Sequence, residues 1–238
     1  MARATASSPV HPYLNTFMEL LRRHSPDKAI LNFSKHLEGK ILDVVTANAL
    51  FYVAHPSGHA EPAKELLSRT IQTKKHINFC FSQMTNFVLQ KLRNKVVVVH
   101  PLAISNTAFL KNAKSIRFIH ADQSALQYLP VHKLEYYKPL AAAESLDNAN
   151  LVLLEPEAVT KEGIFVKKGG RLLAELAAAR GIPVYAVATA WHVVPKWHTK
   201  TNNEIVPAGL VLGILSEHGV YSHKDFIANV KKDFQWII

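Results

Sequence analysis

The apolar residues of this chain follow two patterns, one before residue 94 and another after it. From Tyr13 to Arg93, apolar residues recur at steps of three and four, as at Phe17, Leu20 and Leu21, which is the spacing of one face of a helix. After Asn94, short β-branched runs alternate with helical segments of about ten residues, an order typical of βαβ units. The sequence therefore predicts an α/β protein with a parallel sheet in its C-terminal part and helices before it.

The same patterns set the predicted limits of domains and elements. Residues 1–12 are predicted to be a mobile leader, residues 13–93 a helical N-terminal domain, and residues 94–238 the α/β C-terminal domain. Helices are predicted from Pro26 and over residues 44–53, 62–70, 76–92, 106–113, 139–146, 170–180 and 224–234. Strands are predicted over residues 96–99, 115–120, 150–154, 183–188 and 211–215, with a further short strand among residues 121–139.

Composition excludes several classes of protein. Hydrophobic residues make up 48% of the 238 residues and charged residues 19%, so the chain can bury a sizeable core. No apolar run reaches the roughly 20 residues that cross a bilayer, and the N-terminus lacks the apolar segment of a secretory signal. The single cysteine, Cys80, excludes an intrachain disulfide and favours a reducing compartment. We therefore expect a cytoplasmic protein without a membrane partner.

Charge and motifs narrow the choice of ligands. The formal net charge of +10 favours polyanionic partners such as RNA, acidic protein surfaces or phosphorylated metabolites. The basic residues are scattered, without the clustering typical of a nucleic-acid interface. The thirteen histidines form neither HxH nor HExxH, so we predict no metal. The motifs GxGxxG, GxxxxGK[ST] and GxSxG are absent, and we predict no cofactor.

Two predicted strand ends carry candidate ligand-binding residues. In an open parallel sheet, ligands bind beyond the carboxyl ends of the strands, usually at helix N-termini. After the first strand, Ser105, Asn106 and Thr107 can offer a helix N-terminus to a phosphate, or simply cap that helix. After the second strand, Asp122 can accept hydrogen bonds from sugar hydroxyls, or cap a turn.

Two further strand ends carry candidate acid and base groups. After the strand at residues 150–154, Glu155 and Glu157 precede a Lys/Gly/Arg turn at a helix start. We predict an acid/base site at Glu157 beside a phosphate cradle made by Lys167, Lys168, Gly169 and Gly170. After the strand at residues 183–188, His192 is a candidate acid, base or phosphate contact, and a polar surface residue is the alternative.

Three stretches of the chain resemble one known superfamily. Residues 148–192 are similar to its stretch in which a strand runs into "GAD", then a Gly turn, "NKxGT", a helix and "GxPVYV". Residues 206–220, VPAGLVLGILSEHGV, are similar to its closing "PxxLxxxxxTExGV", and VVVVH followed by Ser105 is similar to its "TH" and serine turn. The chain thus resembles, as a divergent member, the superfamily of translation initiation factor 2B alpha/beta/delta regulatory subunits and sugar-phosphate (ribose-bisphosphate and methylthioribose-phosphate) isomerases.

This resemblance implies a Rossmann-like C-terminal domain after a helical domain, and a homodimer formed through the C-terminal domain. The isomerases of the superfamily convert an aldose phosphate into a ketose phosphate with a cysteine just after "TH" and the aspartate of "GAD". Here Pro101 stands at the cysteine position and Glu157 at the aspartate position. Lys167 keeps the family lysine, whereas His192 stands at the family's final lysine.

Three hypotheses about function stay open at this point. The first is a non-catalytic initiation factor 2B-like protein that binds a phosphorylated ligand, a protein partner or both. The second is a sugar-phosphate isomerase that uses Glu157 and His192 as acid and base. The third is a basic RNA-binding or assembly protein.

Overall fold

The computed structural model describes residues 11–37, 44–54, 63–101, 110, 112–119, 134–138, 141–195 and 203–233. The chain divides into two compact units, residues 1–79 and residues 80–238. The division falls inside one continuous helix, Ala63–Leu92, which contributes to both units. The domain limits set from the sequence stay predictions, and the leader predicted at residues 1–12 lies almost entirely outside the described residues.

The N-terminal unit is helical in its described part. It contains α1 (His11–Arg23), α2 (Pro26–Leu37), α3 (Val44–Ala54) and the first part of α4 (Ala63–Leu92). α1 packs on α2 through buried residues that include Phe17 and Phe33, whose ring centroids are 4.9 Å apart. α2 begins at Pro26, as predicted, because proline fits the first helical position without losing a hydrogen bond.

Helix α4 joins the two helices predicted at residues 62–70 and 76–92 into one helix of 30 residues. Nothing in the intervening segment breaks a helix, and the hydroxyl of Thr73 donates to the carbonyl of Arg69 within the same helix. Beyond Cys80, the buried residues Met84, Val88 and Leu92 follow at steps of four and pack into the core of the central sheet. The end of α4 is therefore part of the C-terminal unit.

The C-terminal unit is built on a seven-stranded sheet. Its strands are β1 (Val96–His100), β2 (Ser115–Ile119), β3 (Leu134–Tyr137), β4 (Leu151–Leu154), β7 (Val184–Val187), β9 (Gly213–Ser216) and β10 (Gly219–Tyr221). The strands lie in the order β3-β2-β1-β4-β7-β9-β10, and each pairing is parallel except that of β9 with β10. This is the strand order of a doubly wound sheet, and it places the topological switch point between β1 and β4.

The apolar runs read from the sequence form the buried centre of this sheet. β4 and β7 are buried along their whole length, and β1 is buried from Val97 onward. In register, Val97 pairs with Leu151 and Val99 pairs with Phe118. Such uninterrupted burial is typical of parallel strands that are covered on both faces. The predicted α/β fold with a parallel sheet is confirmed.

A second sheet was not predicted. It contains β5 (Ala158–Val159), β6 (Gly163–Lys167) and β8 (Asn203–Pro207), paired antiparallel in the order β5-β6-β8. Val159 also forms an isolated parallel bridge with Val193, just after β7. The small sheet therefore lies next to the carboxyl end of the main sheet.

Three helices complete the described part of the C-terminal unit: α5 (Ala142–Ser145), α6 (Gly170–Ala179) and α7 (His223–Asp233). α6 and α7 agree with the predicted helices at residues 170–180 and 224–234. The helix predicted at residues 106–113 lies largely outside the described residues. Among the helices that the structure describes, none combines the length and the hydropathy of a bilayer span.

Candidate functional site

His100 closes the carboxyl end of β1, at the switch point of the sheet. Its side chain is only 3% exposed. The ring Nδ1 lies 2.7 Å from the carbonyl oxygen of Ile119, at the end of β2, and Nε2 lies 3.1 Å from the carbonyl oxygen of Lys167, at the end of β6. The imidazole thus joins the ends of three strands. The sequence analysis did not select His100, although it is the one polar residue of the VVVVH run.

The glycine pair at the start of α6 makes room for this ring. Gly169 is the N-cap of α6 and has a φ of 98°, in the left-handed region that glycine adopts without strain. A Cβ on Gly170 would lie 2.6 Å from Cγ2 of Val166 and 2.9 Å from Cδ2 of His100. The close approach of the His100 ring explains the Gly–Gly sequence without a phosphate, and the phosphate cradle predicted there stays a prediction.

A carboxylate of the chain itself lies at the N-terminus of α6. The backbone N–H of Arg171 donates to Oε1 of Glu204, on β8, over 2.7 Å. A negative charge at this position is stabilised by the helix dipole and by the free N–H groups of the first turn. Glu204 was not selected from the sequence, because nothing in the sequence pairs β8 with a turn 33 residues earlier.

Glu157 is held on the small sheet beside the same turn. Its backbone N–H donates to the carbonyl of Phe165 over 2.7 Å, and its Oε2 accepts from Nδ2 of Asn203 over 2.5 Å. In the register of the small sheet, Asn203 is the partner of Lys167. Glu157 is half-buried, whereas Lys167 and Lys168 are exposed. The predicted acid/base residue, which directly precedes β5, and the predicted cradle lysine at the end of β6 therefore both contact or pair with Asn203.

These residues form one polar group at the ends of β1 and β6. We refer to it as the strand-end cluster, with the members His100, Glu157, Lys167, Lys168, Gly169, Gly170, Asn203 and Glu204. It contains two exposed lysines, two half-buried carboxylates and a buried imidazole, which are groups that can contact an anion and a sugar hydroxyl.

His192 has a different environment at the end of β7. It closes a 3-10 turn, Ala190–His192, and is 7% exposed. Its Nδ1 accepts the backbone N–H of Thr189 over 3.0 Å, and its ring lies edge-on to Phe81 with centroids 6.2 Å apart. This geometry gives His192 a capping role in the turn. Its role as an acid or a base stays a prediction.

Cys80 lies on α4 next to the same turn and is 1% exposed. Burial raises the pKa of its thiol well above the ordinary value, and the negative charge of Glu217 raises this pKa further. Glu217, itself 5% exposed, accepts the backbone N–H of Ala190 over 2.9 Å. Because the thiolate is the nucleophilic form of cysteine, the raised pKa and the burial both disfavour a nucleophilic role for Cys80.

Four predicted site residues fall outside the part of the chain that the structure describes. They are Ser105, Asn106, Thr107 and Asp122, and their roles stay predictions. Among the described residues, no group of three or more His, Cys, Asp or Glu side chains is arranged to hold a metal ion.

No protein-family model matches the chain, and neither does the sequence of any curated protein. Solved structures with the same fold exist. Translation initiation factor eIF-2B of Pyrococcus horikoshii OT3 is similar with a TM-score of 0.75 at 14% identity, over 91% of each chain. A chain of the tetrameric eIF2B-beta2-delta2 complex from C. thermophilum is similar with a TM-score of 0.60 at 16% identity, over 98% of this chain and 99% of that one.

A structure of an enzyme has the same fold. The 5-methylthioribose 1-phosphate isomerase of Pyrococcus horikoshii OT3 is similar with a TM-score of 0.67 at 16% identity, over 97% of this chain and 83% of the isomerase. The chain therefore has the fold that initiation factor 2B proteins and this isomerase share. The resemblance read from the sequence is confirmed at the level of the fold.

Proposed function

We propose that this chain, which has the fold of eIF2B subunits and of a sugar-phosphate isomerase, is an initiation factor 2B-like protein without catalytic activity. In this role it binds a phosphorylated small molecule at the strand-end cluster, a protein partner, or both. We place it in the cytoplasm, on the basis of its single cysteine.

The observation that supports the non-catalytic role is the burial of Cys80 and the raised pKa of its thiol. The isomerases of the superfamily that the sequence resembles use a cysteine thiol near the end of the first strand. The single cysteine of this chain lies instead on α4, is 1% exposed and has a raised thiol pKa. A buried thiol with a raised pKa is not a thiolate nucleophile at neutral pH, which supports the non-catalytic role.

The charge and exposure of the strand-end cluster support the binding of a phosphorylated ligand. The side chains of Lys167 and Lys168 are exposed at the end of β6, next to the glycine N-cap of α6. Hydrogen bonds between a charged donor and a phosphate oxygen are about twice as strong as neutral ones. Glu157 and Asn203 add oxygen and nitrogen atoms that can pair with sugar hydroxyls.

A thermal-shift screen of sugar phosphates, nucleotides and inorganic phosphate tests this proposal. A true ligand at a hundred times its Kd stabilises the folded state by about 2.7 kcal/mol. Lys167→Gln should weaken the binding of that ligand about tenfold, the equivalent of roughly 1.4 kcal/mol. Lys161→Gln is the matched control, because Lys161 is an exposed lysine on the turn before the same strand, β6. Equal affinities of the two variants would contradict the proposed site.

An aldose–ketose isomerase is the second candidate, and the placement of Glu157 favours it. In the sequence resemblance the carboxylate stands at the position of the superfamily's aspartate, and it accepts a hydrogen bond from Asn203, the strand partner of Lys167. Any turnover of a sugar phosphate should then be abolished by Glu157→Gln, with binding largely kept. Glu162→Gln, at an exposed position on the β5–β6 turn, is the control. Turnover of a sugar phosphate by the wild-type protein would refute the non-catalytic role. Unchanged turnover by Glu157→Gln would show that Glu157 is not the acid or base.

We further propose a homodimer formed through the C-terminal unit, and a protein partner. The tetrameric assembly named for the C. thermophilum relative supports a role in an oligomeric complex. Sedimentation equilibrium should give twice the chain mass of 26.6 kDa. A monomer at all concentrations would contradict the dimer. Binding to RNA with a steep salt dependence, in the absence of any metabolite binding, would favour the third hypothesis, a basic RNA-binding protein.

A further inference from the structure

The two contacts of the His100 ring are both made to acceptors. Nδ1 lies 2.7 Å from the carbonyl oxygen of Ile119, and Nε2 lies 3.1 Å from the carbonyl oxygen of Lys167. A carbonyl oxygen donates no proton, and a neutral imidazole has a proton on only one of its two nitrogens. In either neutral tautomer, one ring nitrogen would turn its lone pair toward a carbonyl oxygen. Only the imidazolium forms both hydrogen bonds.

Burial makes this mismatch costly for the neutral ring. His100 is 3% exposed, so water cannot replace the missing hydrogen bond. The ring also lacks room to turn away, because Gly169 and Gly170 pack against Cε1 and Cδ2. A Cβ at either glycine would lie within 3.3 Å of a carbon of this ring. The geometry is therefore that of a ring fixed in place with both nitrogens donating.

We propose that His100 has two ring protons in the folded protein at neutral pH, and is a fixed buried cation at the strand-end cluster. It is a positioning residue. Its two hydrogen bonds hold the ends of β2 and β6 on the end of β1, and its charge favours an anionic ligand at the exposed Lys167 and Lys168. This effect on a ligand rests on the proposed phosphate binding, whereas the protonation state of the ring does not.

The charged groups on the elements around the ring both oppose and favour the second proton. Lys167 and Lys168 at the end of β6, and the positive N-terminus of α6, disfavour a further cation. Glu155 and Glu157 after β4, and Glu204 on β8, are carboxylates that favour it. Glu204 already bonds the first turn of α6 and offsets the positive end of that helix. Burial also disfavours the charged ring, and the two direct hydrogen bonds to carbonyl oxygens are the interactions that favour it in this proposal.

Nitrogen-15 spectroscopy of the histidine rings tests the protonation state directly. At pH 8, exposed imidazoles with an ordinary pKa of about 6.5 are neutral, and each shows one protonated and one unprotonated nitrogen. The His100 ring should show two protonated nitrogens, with slowly exchanging protons. Its signals are assigned by contacts between the ring Hε1 and the α-protons of Gly169. An unprotonated nitrogen in this ring would overturn the proposal, whether or not any ligand binds.

Substitution of His100 tests the consequence for an anion, with inorganic phosphate as the probe. His100→Gln keeps one amide donor and removes the charge, so phosphate affinity should fall at least tenfold. His218→Gln, at an exposed position on the turn between β9 and β10, should leave the affinity unchanged. Equal affinity in His100→Gln and wild type would refute the electrostatic role. If His100→Gln fails to fold, the nitrogen spectrum of the wild-type protein decides the proposal. A wild-type protein that does not bind phosphate would count against the proposed function alone.

Discussion

Polar residues selected from the sequence lie at two strand ends of the C-terminal unit. The residues at the two strand ends differ in solvent exposure. At the end of β6, Lys167 and Lys168 are exposed and Glu157 is half-buried. At the end of β7, Thr189 and His192 are buried and bonded to one another. The end of β7 lies at the carboxyl edge of the parallel sheet, where open α/β sheets bind ligands, whereas β6 is a strand of the antiparallel small sheet whose end contacts His100 at the end of β1.

The difference shows that a position at a strand end does not by itself make a site. The polar atoms of the turn after β7 form hydrogen bonds within the protein. The ring of His192 accepts the N–H of Thr189, and Glu217 accepts the N–H of Ala190. A buried polar atom with a partner inside the protein serves stability. The strand-end cluster keeps charged groups in contact with solvent, where a ligand can reach them. We therefore expect substitutions at the two places to affect different properties.

The largest expected effect is on stability, at the turn after β7. Trp191 is 1% exposed, and Trp191→Ala should lower the free energy of unfolding by about 3–5 kcal/mol, because it leaves a cavity in place of a large buried ring. Urea denaturation measures the change. Leu212→Ala, at a position that is 64% exposed, is the control and should change stability by less than about 0.5 kcal/mol. If Trp191→Ala folds but no longer binds phosphate, the turn after β7 takes part in ligand binding. That result would contradict the assignment of stability to this turn and of ligand binding to the strand-end cluster.

The next effect is expected at the strand-end cluster itself. Gly170→Ala places a methyl group 2.6 Å from Cγ2 of Val166 and 2.9 Å from the His100 ring, and should cost about 1–3 kcal/mol of stability by overpacking. It should also weaken phosphate binding, because the ring must shift. In the matched variant Gly209→Ala, nothing lies within 4 Å of the new Cβ. Normal stability of Gly170→Ala would show that the ring is not packed as described.

The sequence predicted the main sheet well because its signal is local. The uninterrupted apolar runs 96–99 and 151–154 have the composition of central parallel strands that are buried on both faces. The small sheet lacks such a signal. GIFVK at Gly163–Lys167 is a strand because it pairs with Asn203–Pro207, about 40 residues away. Neither segment alone indicates a partner at that separation.

The candidate site was predicted only in part, for the same physical reason. Glu157, Lys167, Lys168, Gly169 and Gly170 could be selected because each belongs to one short segment with a recognisable composition. His100 and Glu204 were missed because their roles arise from partners far along the chain. His100 bonds two backbone carbonyls, 19 and 67 residues away, and Glu204 bonds the N–H of Arg171. Every residue has a backbone carbonyl, so the residue type does not indicate which carbonyl accepts a hydrogen bond from a distant side chain.

Typical hydrogen-bond energies support the two-donor role proposed for His100. A hydrogen bond from a charged donor contributes about 1.5–3 kcal/mol, and a buried carbonyl left without a donor costs about 1–3 kcal/mol. The unfavourable effect of a cation near a helix N-terminus is smaller, about 0.3–1 kcal/mol. The hydrogen bonds to the carbonyls of Ile119 and Lys167 therefore contribute more than the opposing effect of the α6 N-terminus.

The pKa of Cys80 gives a pH-dependent effect of intermediate size. Its thiol pKa is raised in the folded protein, so above about pH 8.5, the ordinary value, the unfolded chain loses this proton while the folded chain keeps it. Stability then falls with rising pH by up to about 1.4 kcal/mol per unit, and is independent of this group at lower pH. Cys80→Ala should remove this slope. The measurement is urea denaturation of the wild-type protein and of Cys80→Ala at a series of pH values. An identical slope in both proteins would contradict the buried thiol.

The smallest expected effect concerns Glu204, which competes with an anion for the N-terminus of α6. Glu204→Gln should lower stability by only about 0.3–1 kcal/mol, because it removes a charge that the helix dipole stabilises. The same substitution should strengthen phosphate binding, since the resident carboxylate no longer repels the ligand. Glu175→Gln, an exposed change one turn further along α6, is the control. Weaker phosphate binding in Glu204→Gln would place the ligand elsewhere.

Hydrogen exchange with and without ribose 5-phosphate as the probe compares the two strand ends in one measurement. The account predicts that the ligand slows amide exchange in the segments 155–158 and 167–171, and leaves the segment 189–193 unchanged. Protection of residues 189–193 without protection of residues 167–171 would contradict the claim that the ligand binds at the strand-end cluster.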